Sequence, residues 1–561
     1  MHKLILRLTR SLSTVGLVVG TLFFAASLTP SLLPRDFLLQ GLLSGSSFAA
    51  GYLFGIAADL LWRYLQLPVA SALAGIVLMT VTLVASALVI VLSLRQASVW
   101  QDSIRLLMEL EPVERGRPFE IGMIAALVFA VLLALARLVR RIFLALSDRL
   151  ARRLPNRIAV VTGLAIVAVL LMMAVDGLLF KVGLRVADSS FRALDELMEP
   201  DIALPSDPLK TGSPASLVDW EGIGRMGRDF VARGPDAAAI GDFTGRPAME
   251  PLRVYVGLNS AETVEERASL ALEEMKRVGA FDRSILVVVT PTGTGWVDPS
   301  AMDTLEYLHR GDVASVAIQY SYLASWLSLL VEPGYGAEAS RALFNAVYEH
   351  WTKLPRDARP RLYLHGLSLG SLNSDLSTDI YAIVGDPIQG ALWTGPPFPS
   401  RTWRVATNGR DAGSPAWLPR FRDGSIIRFA DQHGGASEAE SPWGPIRIVY
   451  LQYASDPITF FEPEAAYREP QWMRQPRGPD VSPALRWFPV VTLLQLGIDI
   501  ILATEAPMGY GHVFAPEHHI DPWIEVTQPP GWSPAEVERL KVFFRAQRDG
   551  RPDETGEGDG G

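Results

Sequence analysis

The sequence predicts an α-helical membrane domain of about five transmembrane helices, followed by an α/β domain built on a mostly parallel sheet with helices on both faces. Three observations carry this. Long uncharged apolar runs fill the first third of the 561 residues. Residues 1–182 hold 17 Lys+Arg against 9 Asp+Glu and the remainder 34 against 51, so a basic, oily third (net +8) precedes an acidic remainder (net −17). From Leu252 onward, strand-like and helix-like segments alternate. The chain contains no cysteine, which excludes disulfides, thiolate catalysis and Cys-ligated metals. Its basic residues in the first third are nearly all Arg, grouped between apolar runs. That is the pattern of membrane flanks, so a lipid bilayer is the expected partner and nucleic acid is not.

No charge falls between Arg10 and Arg35, a stretch long enough at ~1.5 Å per residue to cross ~30 Å of hydrocarbon. Four further spans are expected at about 37–61, 66–94, 119–139 and 158–180. A cleaved signal peptide is the rival reading of residues 1–30. The length of the run, which continues through Pro30-Ser31-Leu32-Leu33, favours a span. Short-loop Lys and Arg number eleven on the N-terminal side (Lys3, Arg7, Arg10, Arg63 and seven Arg between 137 and 157) against five on the other. The positive-inside rule then puts the N-terminus in the cytoplasm. Five crossings place the C-terminal domain outside it, in a multi-pass protein of the inner (cytoplasmic) membrane. Asp59 and Asp176 interrupt the spans and are read as interfacial or inter-helix hydrogen-bonding groups, with a transport role as the alternative. Gly41/Gly45 and Gly51/Gly55 have the four-residue spacing that lets helices approach closely.

Residues 183–250 read as a connecting region, 251–545 as the α/β domain with a cap-like insert at 395–445, and 546–561 as a disordered acidic tail. Strands are expected at 252–257, 284–290, 313–319, 361–365, 388–394, 425–430 and 446–453, with helices at 261–279, 299–309 and 337–353. Chemistry on such a sheet sits at the carboxyl ends of the strands.

One such end is Arg361-Leu-Tyr-Leu-His365, which runs into Gly366-Leu367-Ser368-Leu369-Gly370, a G-x-S-x-G followed by a segment able to form a helix. This is the strand-turn-helix setting of a nucleophile elbow, with Ser368 lifted out of the sheet; a glycine-rich structural turn is the alternative. A serine hydroxyl needs a base, and the base an orienting acid. Asp456 turns out of the strand 446–453 and is the acid; His512 lies in the glycine-rich loop Pro507-Met-Gly-Tyr-Gly-His512 and is the base. Oxyanion donors are expected from the Leu369 amide and from the turn Thr290-Pro-Thr-Gly-Thr-Gly295, at Thr292 and Gly293. Rival residues read as weaker. His518 and His519 are taken as polar surface groups rather than metal ligands, and His365 as a strand residue beside the elbow. His309, His350 and His433 precede the acid strand. Asp431 lies in the Pro/Gly-rich insert and Asp499 inside an apolar helix at 487–503. Trp326, Trp393, Trp403, Trp417 and Trp443 are candidates for a pocket or the membrane interface, or are simply core.

Taken together, these features resemble the bacterial membrane-anchored α/β-hydrolase family. The likeness covers nearly the whole chain: Ser27-Leu-Thr-Pro-Ser-Leu-Leu-Pro-Arg35, Thr290-Pro-Thr-Gly-Thr-Gly-Trp-Val-Asp-Pro299, Gln319-Tyr-Ser-Tyr322, Gly366 to Ser371 and Gly509-Tyr-Gly-His512. Two positions depart from that family's pattern, Leu367 in place of Glu and Tyr510 in place of the first His of Gly-His-Gly-His. The resemblance implies a serine hydrolase and says little about its substrate. The triad needs no cofactor or metal, and membrane anchoring points to an acyl-ester or lipid-like substrate. Acyl transfer on the same triad, or a non-catalytic membrane sensor or scaffold, are the other readings.

Overall fold

A computed structural model of the chain describes residues 12–550 except 70, 114–115, 174–194, 196, 324–333, 379 and 440. The chain divides into two compact units, residues 1–184 with 461–503, and residues 185–460 with 504–561.

In the first unit, helices α1 (Thr14–Ser27), α2 (Phe37–Tyr64), α3 (Ala72–Arg105), α4 (Pro118–Ala151) and α5 (Asn156–Met173) follow the apolar runs. Helices α2 to α5 are long and apolar enough to cross a membrane. Helix α1 has only 14 residues, about 21 Å of helix at 1.5 Å per residue. Its start is fixed by Ser13, whose hydroxyl accepts from the Gly16 amide, and the chain beyond Ser27 is broken by Pro30 and Pro34. Among the described residues, the five expected spans are therefore four candidate spans preceded by a short apolar helix. The glycines behave as their spacing suggests. A Cβ at Gly45 would stand 2.7 Å from the Ala125 carbonyl of α4, and one at Gly55 2.5 Å from Gly16 of α1. Asp59 pairs with Arg63 one turn along α2 at 3.1 Å. Asp176 lies outside the described residues.

Residues 461–503 join this unit, where the sequence suggested one continuous domain from 251 to 545. The reason is polar. The helix Val491–Ile501 carries Asp499, whose carboxylate accepts from the Ser31 hydroxyl (2.8 Å) and the Leu32 amide (3.0 Å). The Arg35 guanidinium, 3.7 Å from Asp499, donates to Ser31, Gln40 and the Thr29 carbonyl. Gln495 donates to the same carbonyl at 3.0 Å. A buried carboxylate needs such partners, and these are far away in sequence.

The second unit is built on seven strands: β1 (Leu252–Val256), β2 (Ile285–Thr290), β3 (Val313–Ile318), β4 (Arg361–Leu367), β5 (Gly390–Thr394), β6 (Ile427–Ala430) and β7 (Arg447–Leu451). They form one sheet in the order β1-β3-β2-β4-β5-β7-β6, with every neighbouring pair parallel. Every residue of β1, β2, β3 and β5 is buried, as parallel strands covered on both faces require. Helices Val264–Arg277, Pro299–Leu308 and Tyr335–Trp351 connect the early strands. The first of these opens on a capping box between Thr263 and Glu266. The stretch 395–445 supplies the helix Arg401–Asn408 and also edge strand β6, so part of the expected insert belongs to the sheet. Trp393 and Trp403 are buried, and their indole N–H groups donate to Ser374 and Gln452. Trp443 donates to Glu525, and Trp326 lies outside the described residues. The last helix, Pro534–Gly550, runs into the stretch expected as tail.

Candidate active site

Strand β4 ends at Leu367 and the helix Leu369–Ser377 begins two residues later, so Ser368 alone makes the turn. Its backbone sits at φ 55°, ψ −124°, a conformation costly for a residue with a side chain and held only when neighbours over-determine it. They do. The Ser368 amide donates to the Thr394 carbonyl at 2.9 Å, and its own carbonyl accepts the Ser371 amide (2.9 Å) and hydroxyl (2.7 Å). On the other side Gly370 packs on the end of β2, where a Cβ would stand 2.2 Å from the Thr290 carbonyl. The amides of Leu369 and Gly370, first in the helix, have no acceptor among the described residues. This is the positive end of the helix, suited to developing negative charge.

Asp456 follows β7 and is fully buried. Its Oδ1 accepts the Ile458 amide (2.8 Å), and Oδ2 accepts the Thr459 hydroxyl (3.0 Å) and His512 Nδ1 (2.7 Å). The loop carrying His512 is held to the acid strand, because the Gly511 amide donates to Ser455 Oγ at 2.9 Å. Since Nδ1 carries the proton toward the carboxylate, Nε2 of the neutral ring is left with a lone pair. That atom is buried and has no partner among the described residues. The His512 ring lies against Gly395, which has φ +52° and where a Cβ would stand 2.7 Å from His512 Cε1. Ser368 and His512 thus flank the same dipeptide, Thr394-Gly395, at the carboxyl end of β5.

The turn after β2 behaves less simply. The Thr292 amide donates to the Trp296 carbonyl at 2.9 Å, so its backbone is no longer available to an oxyanion. Thr292 retains its hydroxyl, 3.5 Å from that of Thr294. Gly293 follows it in the turn.

His518 and His519, expected at the surface, are drawn inward. His518 Nδ1 lies 2.6 Å from the Tyr453 hydroxyl, and His519 is fully buried. Burial pushes both imidazoles down to about 3, so both are neutral at physiological pH. His519 Nε2 lies 3.3 Å from Thr394 Oγ1 and 3.8 Å from Asp298 Oδ2. Burial pushes the Asp298 carboxyl up to about 7, against its bonds to Ser300 and the nearby His512. Thr394, Gly395 and Asp298 were not singled out by the sequence, and His519 was read only as a surface group. Only Asp298, inside the quoted 290–299 motif, carried a signal. The rivals have other engagements: His365 bonds the Leu392 carbonyl (2.8 Å), His309 bonds Thr527 (2.8 Å) and His350 packs edge-on to Phe281. Asp431 accepts the His433 amide, and Asp499 belongs to the other unit.

A parallel sheet with a strained serine at the end of a central strand, followed at once by a helix, defines an α/β-hydrolase fold. The chain belongs to a family described as the alpha/beta-hydrolase family, matched over residues 252–540, and residues 28–235 match the N-terminal domain of that family. No curated protein and no solved structure matches the chain.

Proposed function

We propose that this protein is a membrane-anchored serine hydrolase that cleaves an ester or related acyl bond through an acyl-enzyme on Ser368. The observation that carries the reading is the buried Nε2 of His512, without a partner among the described residues, whose Nδ1 is bonded to Asp456 at 2.7 Å. His512 Nε2 takes the Ser368 proton as Oγ attacks the acyl carbon, and Asp456 holds the tautomer and stabilises the imidazolium. The tetrahedral oxyanion is met by the Leu369 amide, with Gly293 or the Thr292 hydroxyl as second donor. His512 then returns the proton to the leaving group, and water, activated the same way, releases the acid and frees Ser368.

The four candidate spans support a lipid-like or cell-envelope acyl substrate. With the N-terminus in the cytoplasm, four crossings return the catalytic domain to the cytoplasmic side, and a fifth crossing by the run between Arg10 and Arg35 is what the extracytoplasmic placement requires. The test is turnover of p-nitrophenyl esters by the full chain in detergent, with and without added alcohol. Activity lost in Ser368→Ala and His512→Ala supports the reading, and activity retained in both overturns it. Transesterified product in alcohol would move the reading to acyl transfer on the same residues. Protease added to intact cells reaches the hydrolase unit when five segments cross; protection where the outer face is exposed means that four do and places the unit in the cytoplasm.

A further inference from the structure

We propose that Thr394 and His519 form a positioning pair that holds nucleophile and base in register, an inference that rests on the hydrolase reading above. Thr394 is the last residue of β5, between the nucleophile strand and the acid strand, in register with Leu367 on one side and Leu451 on the other. Its carbonyl accepts the Ser368 amide at 2.9 Å, and the next residue, Gly395, donates to the Leu451 carbonyl at 2.8 Å while its α-carbon supports the His512 ring. Whatever fixes Thr394 therefore fixes both reacting groups.

The fixing group is His519, on the helix Pro516–Thr527. His519 Nδ1 faces the Ala515 carbonyl at 3.1 Å. A carbonyl only accepts, so Nδ1 carries the proton. A neutral ring then offers a lone pair at Nε2, and the Thr394 hydroxyl, 3.3 Å away, is its donor. The depressed titration of this buried imidazole keeps the ring in that state. Asp298 Oδ2 stands 3.8 Å from the same Nε2, beyond hydrogen-bond distance, and leaves the Thr394 hydroxyl as its bonded partner. The ring's neutrality and its single tautomer lock the Thr394 rotamer, and with it the end of β5. Both side chains are fully buried, and the bonds they make are to each other and to the Ala515 carbonyl rather than to Ser368 Oγ or His512 Nε2.

The experiment compares Thr394→Val, which keeps the shape and removes the hydroxyl, with Thr394→Ser, which restores it, using p-nitrophenyl butyrate and the full chain in detergent. Thr394→Val should lower kcat about tenfold, the scale of one buried hydrogen bond, with KM within about twofold, and Thr394→Ser should recover most of it. A merely structural role would instead lower the folded fraction without splitting kcat from KM. If Thr394→Val does not fold, His519→Gln, whose amide keeps both bonds, against His519→Leu, which keeps neither, makes the same comparison. Wild-type kcat in Thr394→Val, or equal loss in the Ser and Val variants, overturns the inference. Ser368→Ala run in parallel separates the two failures: activity surviving there overturns the hydrolase reading itself, whereas activity lost there but kept in Thr394→Val overturns only the positioning pair.

Discussion

Arg35 and Asp499 meet inside the first unit much as His512 and Asp456 meet inside the second, both pairs buried, yet they end differently. Around Arg35 and Asp499 the charges are met: Ser31, Gln40, the Thr29 carbonyl and the Leu32 amide take up the guanidinium and the carboxylate, and what is left over is neutral amide, Gln495 Oε1 and Gln101 Nε2. The line from Thr459 through Asp456 to His512 stops at Nε2, a buried acceptor with no partner among the described residues. The first cluster neutralises its charges within itself, whereas the second leaves the imidazole nitrogen that the proposed chemistry needs without a partner. The first should thus govern stability and the second rate.

The largest expected effect falls on the open cluster. Ser368→Ala or His512→Ala should cost about 10⁴-fold or more in kcat, and the double variant little beyond either alone, because the residues act as a unit. Neither should lower the melting temperature in detergent by more than a few degrees; a variant that loses activity only by unfolding would erase the contrast. Next comes the closed cluster. Asp499→Leu strands the Arg35 charge and should cost about 3–5 kcal/mol in thermal or denaturant unfolding, whereas Arg35→Met with Asp499→Leu should recover most of that. A double variant as unstable as the single would mean the pair is not the determinant.

Gly395→Ala probes where stability and rate overlap. At φ +52° with His512 Cε1 2.7 Å from the new Cβ, the base must move, and a misplacement on the order of 1 Å costs about 10²-fold in kcat. Smallest is Asp298→Asn. Folding raises the Asp298 carboxyl from its usual range to about 7, so between about pH 4 and 7 the folded chain binds more protons than the unfolded one and stability falls as pH rises. The asparagine lacks that loss, so its stability advantage over wild type should be greater at pH 8 than at pH 5. An advantage that does not grow across that window would contradict the burial account.

The same contrast marks what the sequence could and could not tell. The strands and the elbow were legible because their signals are local: apolar runs of strand length, and a G-x-S-x-G between strand and helix. Asp456 and His512 were legible through chain order, acid after a later strand and base in a glycine loop beyond it. Asp499 was read only as a weak rival acid in an apolar helix, since its partners Ser31 and Arg35 lie more than 450 residues away. His519 read as surface because two adjacent histidines give no hint that one faces Thr394, 125 residues back. The first span read long because the charge-free run continues through Pro30 and Pro34, whereas the helix stops before them at Ser27.

The central claim is that Ser368 is the nucleophile activated by His512. It is tested most directly by treating membranes with a fluorophosphonate and locating the adduct by tandem mass spectrometry. The expected result is a single phosphonylated serine, Ser368, in the wild type and no adduct in His512→Ala. Phosphonylation of another residue, or labelling of Ser368 that is unchanged in His512→Ala, would contradict the account.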